Sequence, residues 1–188
     1  MKKVLLVDAS HRKGANSEVI VDTIAEDLVG HIVKVFKIRE QNCQFCMACD
    51  NCQRRKELFC VRKDAITDLL PFIDTCDSIL IASPVYDHQV SAMAKMFIER
   101  FYAFYDPGRK SNSRVSKPGK KAALLLSCYT GPQDEYKRYA DWTLEGFWQI
   151  GASDTRSEVF GMIRNRSEII KNEAYMEKLH EVSRWLIS

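Results

Sequence analysis

Four apolar residues in a row, Val4 to Val7, open the chain and mark a strand buried on both faces of a parallel sheet. From Asn16 the period changes to that of a helix. Ile20, Val21, Ile24, Ala25 and Leu28 fall on one face, with Glu18, Asp22, Glu26 and Asp27 mostly on the other. The alternation then repeats. Ile32–Phe36, Ser78–Ala82, Ala122–Ser127 and Asp154–Phe160 read as strands, and Asp64–Ile73, Ser91–Tyr102, Asp134–Ile150 and Ser167–Ile187 as helices. Pro71 is expected to kink its helix or to start a new turn. In the last helix Tyr175, Met176, Leu179, Val182 and Leu186 form an apolar stripe, expected to serve the core or a dimer contact.

Strands alternating with helices imply an α/β fold, a parallel sheet with helices on both faces, because parallel neighbours need right-handed crossovers. No repeat, low-complexity tract or linker divides the 188 residues, so one domain spanning 1–188 is expected. Within it, residues 43–60 form a cysteine-rich insertion with no apolar period. Ligands of such sheets bind outside the carboxyl ends of the strands. The loops that matter are therefore expected after the first, third and fourth strands.

The loop after the first strand, Ser10 to Ser17, carries two hydroxyls, Arg12, Lys13, Gly14 and a candidate N-cap in Asn16. The N-terminus of a helix leaves backbone N–H groups unpaired, so this composition suits a phosphate. A solvated connection has the same composition, and the loop is neither a P-loop nor a GxGxxG. The third strand leads into Ser83-Pro84-Val85-Tyr86-Asp87-His88-Gln89-Val90-Ser91-Ala92, and the fourth into Ser127-Cys128-Tyr129-Thr130-Gly131-Pro132. A basic stretch from Arg109 to Lys121 is either a solvated surface or a docking face for an acidic electron carrier or the 2′-phosphate of NADPH.

The formal net charge of +3 gives no case for nucleic-acid binding. No apolar run approaches the roughly 20 residues that cross a bilayer, so no membrane association is expected. The apolar run of the first ten residues is short and meets Asp8, unlike a signal peptide. Seven cysteines without a secretion signal point to reduced thiols or metal ligands in a cytoplasmic protein. Five of them are grouped: Cys43, Cys46, Cys49 and Cys52 at Cys-x-x-Cys spacing, then Cys60. Such steps let one loop reach several corners of an iron–sulfur cubane. Zinc suits the spacing less well, since a ribbon separates its cysteine pairs by about 15–20 residues. A thiol redox switch has the same composition. Cys76 and Cys128 read as buried small hydrophobes.

Three blocks occur in order: Ser10-x-Arg12…Asn16-Ser17; Cys60-Val61-Arg62-Lys63-Asp64; and Ser83-Pro84-Val85-Tyr86…Ser91-Ala92-x-x-Lys95-x-Phe97-Ile98-Glu99-Arg100. With these the chain resembles, over about residues 2–131, the NADPH-dependent FMN reductase and iron–sulfur flavoprotein group of the flavodoxin-like superfamily. It departs from the group's pattern at His11, where proline is common, at Asp87-His88-Gln89, where an aromatic or glycine often stands, and at Glu99, where aspartate is usual. The resemblance implies a flavodoxin-like three-layer α/β/α sandwich with a five-stranded parallel sheet of order 2-1-3-4-5. It implies FMN, with its phosphate at Ser10, Arg12, Asn16 and Ser17. The flavin ring would lie between Ser83, Pro84, Val85, Tyr86 and Asp87 on one side and Tyr129, Thr130 and Gly131 on the other, Gly131 permitting close backbone approach. The flavin itself would perform the chemistry, without a catalytic acid or base.

Of the cysteines, the resemblance selects Cys46, Cys49, Cys52 and Cys60 for a [4Fe–4S] cluster, leaving Cys43 spare, with Cys43, Cys46, Cys49 and Cys60 as the other register. The implied activity is an oxidoreductase exchanging electrons between FMN and NAD(P)H, or a small-molecule or ferredoxin-type iron–sulfur carrier, in a homodimer or homotetramer. A non-catalytic flavodoxin-like electron carrier is the other class of function the motifs allow.

Overall fold

The computed structural model describes residues 1–131 and 133–188, and Pro132 of the fourth-strand loop lies outside the described residues. Strand β1 (Lys3–Asp8) sits inside the sheet, with β2 (Ile32–Lys37) on one side and β3 (Ser78–Tyr86) on the other, both parallel to it. Strands β5 (Lys120–Ser127) and β6 (Ala152–Phe160) continue the sheet beyond β3. The path β2-β1-β3-β5-β6 is the expected order of the five parallel strands. A sixth strand, β4 (Gln89–Val90), pairs antiparallel with the end of β3.

Successive side chains of a strand point to opposite faces, and here each face has its own apolar cluster. Leu5, Val7, Ile79, Ile81, Leu124 and Leu126 pack towards helices α2 (Ala65–Thr75), α3 (Ala92–Glu99) and α4 (Gln133–Glu145). Val4, Leu6, Leu80, Ala82, Ala123 and Leu125 pack towards α1 (Asn16–Asp27) and α5 (Glu173–Ile187). The result is three layers. The stripe on α5 belongs to the core: Leu179, Val182 and Leu186 are buried in the second cluster, with Tyr175 and Met176 packed against it.

Several sequence expectations need correction. The third strand does not stop at Ala82 but runs on to Tyr86, so Ser83 to Tyr86 are strand and not loop. Pro84 hides this, because proline cannot donate to a ladder. It is tolerated because β1 has already ended its pairing at Asp8↔Ala82, leaving only β5 alongside. Asp87 and His88 both adopt positive φ (47° and 65°), the backbone of a two-residue hairpin turn that usually takes Asn-Gly. The helix through Pro71 continues unbroken to Thr75. The last expected helix is split, with a 3-10 turn over Glu168–Lys171 before Asn172 caps α5 through the Tyr175 N–H. Residues 43–60 hold one short 3-10 turn, Asn51–Arg54.

The basic stretch is also less exposed than its charge suggests. Arg114 is buried and donates to the carbonyls of Arg55 (2.8 Å), Glu57 (3.0 Å) and Tyr105 (2.9 Å). Lys120 is buried and donates to the carbonyls of Asp74 and Lys117. Two cations expected to be available for docking are thus committed inside the fold. Among the described residues no helix is long and apolar enough to cross a membrane.

Candidate functional site

The carboxyl ends of β1, β3, β5 and β6 enclose a cavity of about 140 Å³. Arg12 and Asn16 line it from the loop after β1, Pro84, Val85 and Tyr86 from the end of β3, and Ser127, Cys128 and Tyr129 from the end of β5. Ile163, Arg164, Asn165 and Arg166 line it from the loop after β6. Sequence reasoning did not reach this last group, because the strand-end rule was applied to three loops only. The run Arg164-Asn165-Arg166 directly after the final strand was the available signal.

The β1 loop is held from below by carboxylates. Ser10 is buried; its N–H donates to Asp8 Oδ1 (3.0 Å), and its hydroxyl accepts the Arg12 N–H (3.1 Å). Asp8 is buried against Arg39, and burial outweighs that contact to raise its pKa above the usual carboxylate value. Gly14 (φ 68°) donates its N–H to Glu18 (2.5 Å). Burial pushes the Glu18 pKa up, but Lys37, the Gly14 N–H and Arg39 more than offset it and hold it below the ordinary value.

Asn16 is not the N-cap. Ala15 occupies that position, and Asn16 instead accepts the Ile169 N–H (3.0 Å) and donates to the Asn165 carbonyl (2.9 Å). Its side chain ties the β1 loop to the β6 loop. Ser17, in the first turn of α1, is fully buried and its hydroxyl has no hydrogen-bond partner. A buried unpaired hydroxyl costs stability, and neither Ser10 nor Ser17 is among the residues that line the cavity.

The β3 end is a fixed hairpin. The buried Ser83 hydroxyl accepts the Ser91 N–H (2.9 Å) and donates to the Pro84 carbonyl (2.9 Å). Ser91 caps α3 through the Ala94 N–H (3.1 Å) and donates to the Ala9 carbonyl (2.6 Å), locking the hairpin to the β1 loop. Tyr86 is partly exposed, with its ring 5.9 Å from the Arg12 guanidinium and 6.0 Å from His11. Asp87 sits in the turn beyond the cavity lining, and His88 meets the Tyr136 hydroxyl at 3.2 Å. Tyr129 is 45% exposed beneath the Arg164 guanidinium, 5.0 Å from its ring. Thr130 and Gly131 follow it outside the lining. Gly131 (φ 111°) admits no Cβ because that atom would lie 2.5 Å from the Tyr136 hydroxyl. The atom it makes room for belongs to a side chain of the same protein. Cys128 is buried, and burial pushes its thiol pKa up.

The second constellation lies on the insertion. Cys46, Cys49, Cys52 and Cys60 line one narrow recess together with Arg100 and Tyr102. Cys43 is outside that lining; it packs against the core, and burial pushes its thiol up to about 11. Hydrogen bonds from Asn51 hold the Cys49 thiol below its usual pKa, whereas burial raises that of Cys52. N–H groups already meet three of the sulfurs. Ala48 donates to Cys46 (3.4 Å), Gln53 to Cys52 (3.4 Å) and Arg100 to Cys60 (3.3 Å).

Four thiols around one recess are the donor set of a thiolate-held cluster. The recess encloses about 20 Å³, room for little more than a water. Among the described residues no three His, Cys, Asp or Glu side chains converge closely enough to hold a metal ion as they stand. A cluster would be held there only by thiols in a different arrangement.

Arg100 organises this region. It grips the buried Asp64 carboxylate with both nitrogens (2.7 and 3.1 Å), and also donates to the Gln44 carbonyl (2.8 Å) and the Thr67 hydroxyl (2.6 Å). In turn Asp64 caps α2 through the Thr67 N–H (2.9 Å) and accepts the Gln44 N–H (2.8 Å).

Sheet order, layers and strand-end crevice define a flavodoxin-like α/β protein. The chain belongs to the NADPH-dependent FMN reductase family, whose model matches residues 2–153. An iron–sulfur flavoprotein of Archaeoglobus fulgidus is 29% identical over 151 residues, covering 79% of this chain and 64% of the relative. The chain thus spans less than two thirds of that relative's length. An iron–sulfur flavoprotein of Methanocaldococcus jannaschii is 30% identical over 71 residues, 38% of this chain and 35% of the relative. Among solved structures, an NAD(P)H:quinone oxidoreductase from Methanothermobacter marburgensis superposes with a TM-score of 0.78 at 16% identity, covering 100% of this chain and 96% of its own. An azoreductase from Bacillus anthracis follows at 0.67 and 18%, covering 98% and 100%. At such identities these two structures speak for the fold.

Proposed function

We propose that this protein is an FMN-dependent NAD(P)H oxidoreductase that delivers electrons to a small-molecule acceptor or a ferredoxin-type carrier. The observation that carries the reading is the strand-end cavity in which Arg12 and the start of α1 meet Tyr86 from β3 and Tyr129 from the loop after β5. Bound there, FMN supplies the hydride and electron chemistry. The residues of the chain do the holding. Arg12 and the free N–H groups of the first turn of α1 take the phosphate. Tyr86, at the end of β3, and Tyr129, in the loop after β5, bound the flat ring. Backbone amides of Val85, Tyr86 and Asp87, on a hairpin locked by Ser83 and Ser91, face its polar edge.

The same reading places a [4Fe–4S] cluster on Cys46, Cys49, Cys52 and Cys60. Support comes from the recess these four thiols share, from the exclusion of Cys43, and from the iron–sulfur relatives. The N–H groups of Ala48, Gln53 and Arg100 that point at sulfur would raise the potential of such a centre, since hydrogen bonds to sulfur stabilise its more negative state.

The test is flavin titration followed by turnover. The protein is expected to take up one FMN per chain and then to oxidise NAD(P)H in the presence of an electron acceptor. Arg12→Ala should weaken FMN about tenfold while leaving riboflavin almost unaffected, because charge-assisted hydrogen bonds contribute roughly 1.5–3 kcal/mol. A purified chain that neither carries nor takes up FMN overturns the reading.

A further inference from the structure

The loop after β6 lies beyond the part matched by the family model, yet it forms one wall of the candidate flavin cavity. Five hydrogen bonds pin it to the β1 loop and to itself. Asn16 holds the Asn165 carbonyl and the Ile169 N–H, and the Ser167 hydroxyl donates to the Gly14 carbonyl (3.0 Å). Glu168 accepts the N–H groups of Arg164 (2.7 Å) and Asn165 (2.6 Å). That carboxylate is therefore turned to the backbone and makes no ion pair with an arginine. The Arg164 and Arg166 side chains remain exposed.

Three arginines, Arg12, Arg164 and Arg166, line this one cavity, and no carboxylate does. Among the described residues none of the three is ion-paired. A guanidinium resting over a ring, as Arg164 does over Tyr129, keeps its N–H edge free for an anion. Arg12, Ala15 and Asn16, at the start of α1, line the same cavity. A cavity of about 140 Å³ bounded by cations from two loops fits a phosphate monoester better than a second bulky ligand.

We infer that Arg164 and Arg166 are the second jaw of the FMN phosphate site, closing on the phosphate that Arg12 and the first turn of α1 hold from the other side. This rests on the FMN reading above. It assigns to the β6 loop the choice between phosphorylated and unphosphorylated flavin. A phosphate dianion carries nearly two negative charges, so it can engage more than one guanidinium.

The full-length protein is titrated with FMN, with riboflavin, and with FMN against inorganic phosphate as competitor, following flavin fluorescence. Wild type, Arg164→Gln, Arg166→Gln and the double variant are compared, all at exposed positions where folding is checked by thermal melting. Each single variant is expected to lose about tenfold in FMN affinity and the double variant on the order of 100-fold, with riboflavin changed less than about twofold. Inorganic phosphate should compete with FMN in wild type and several-fold less well in the double variant. Equal losses for FMN and riboflavin overturn the inference and make the loop a support for the ring. Unchanged FMN affinity, alongside a loss in Arg12→Ala, overturns it while the FMN reading stands. Wild type that binds neither flavin removes the FMN reading itself.

Discussion

Arg100→Ala is expected to lower stability by about 3–5 kcal/mol, the usual result of leaving a buried carboxylate without its partner. The Arg100 and Asp64 side chains are 1% and 0% exposed and meet through two nitrogens and two oxygens. No water can replace the guanidinium without opening the packing of α2 against the insertion. For a protein of this size the loss corresponds to a fall in Tm of roughly 10 °C or more. Arg100→Lys should recover only part of it, since an ammonium cannot span both carboxylate oxygens. Chemical denaturation of the three proteins decides the matter, and a difference below about 1 kcal/mol for the alanine variant would show that Asp64 finds another partner.

The same pair sets an acid limit. Burial pushes the Asp64 carboxyl up, but Arg100 and the N–H groups of Thr67 and Gln44 more than offset it and hold its pKa at about 2. An unfolded aspartate titrates near 3.9, so this group contributes stability that is fully present above about pH 4. That contribution, about 2 kcal/mol, is lost as the pH falls from about 4 to about 2. Wild type should therefore lose stability across this interval more steeply than Arg100→Ala, in which Asp64 no longer has its guanidinium. Parallel stability curves for the two proteins would contradict this account.

The second large effect concerns iron. Single serine replacements of Cys46, Cys49, Cys52 or Cys60 are expected to abolish or severely perturb the proposed cluster, because an alkoxide-type oxygen is a harder and poorer iron ligand than a thiolate. Cys43→Ser should retain it, since Cys43 lies outside the recess that the other four share. The measurement is iron and sulfide content after strictly anaerobic preparation, together with the paramagnetic resonance of the reduced state. FMN content should be the same in all five variants, because the flavin cavity contains no residue of the cysteine loop. Loss of iron in Cys43→Ser with retention in Cys52→Ser would shift the ligand register. Anaerobic wild type with FMN but without iron would remove the cluster and favour a thiol switch.

The apolar pattern by itself located the five parallel strands and the buried helix faces, and the family resemblance supplied the strand order. Val4 to Val7 and the stripe on α5 went where their periodicity placed them, because side-chain alternation in a strand and spacing in a helix report burial locally. Cysteine spacing grouped five thiols, and the family resemblance selected from them the four that line one recess. Tertiary structure alone decided the polar partners. Asn16 reads as a helix cap, but it bonds to Ile169 across 153 positions. Arg114 reads as solvated charge, yet it holds the Arg55 carbonyl across 59, and Arg100 closes on Asp64 across 36. Arg164 and Arg166 carry no periodic signal at all and enter the cavity only because the loop after β6 is held against the β1 loop through Asn16. An apolar residue needs only to leave water, and any core will take it. A charged or hydrogen-bonding side chain needs one particular partner at about 3 Å, and the folded sheet alone brings those partners together.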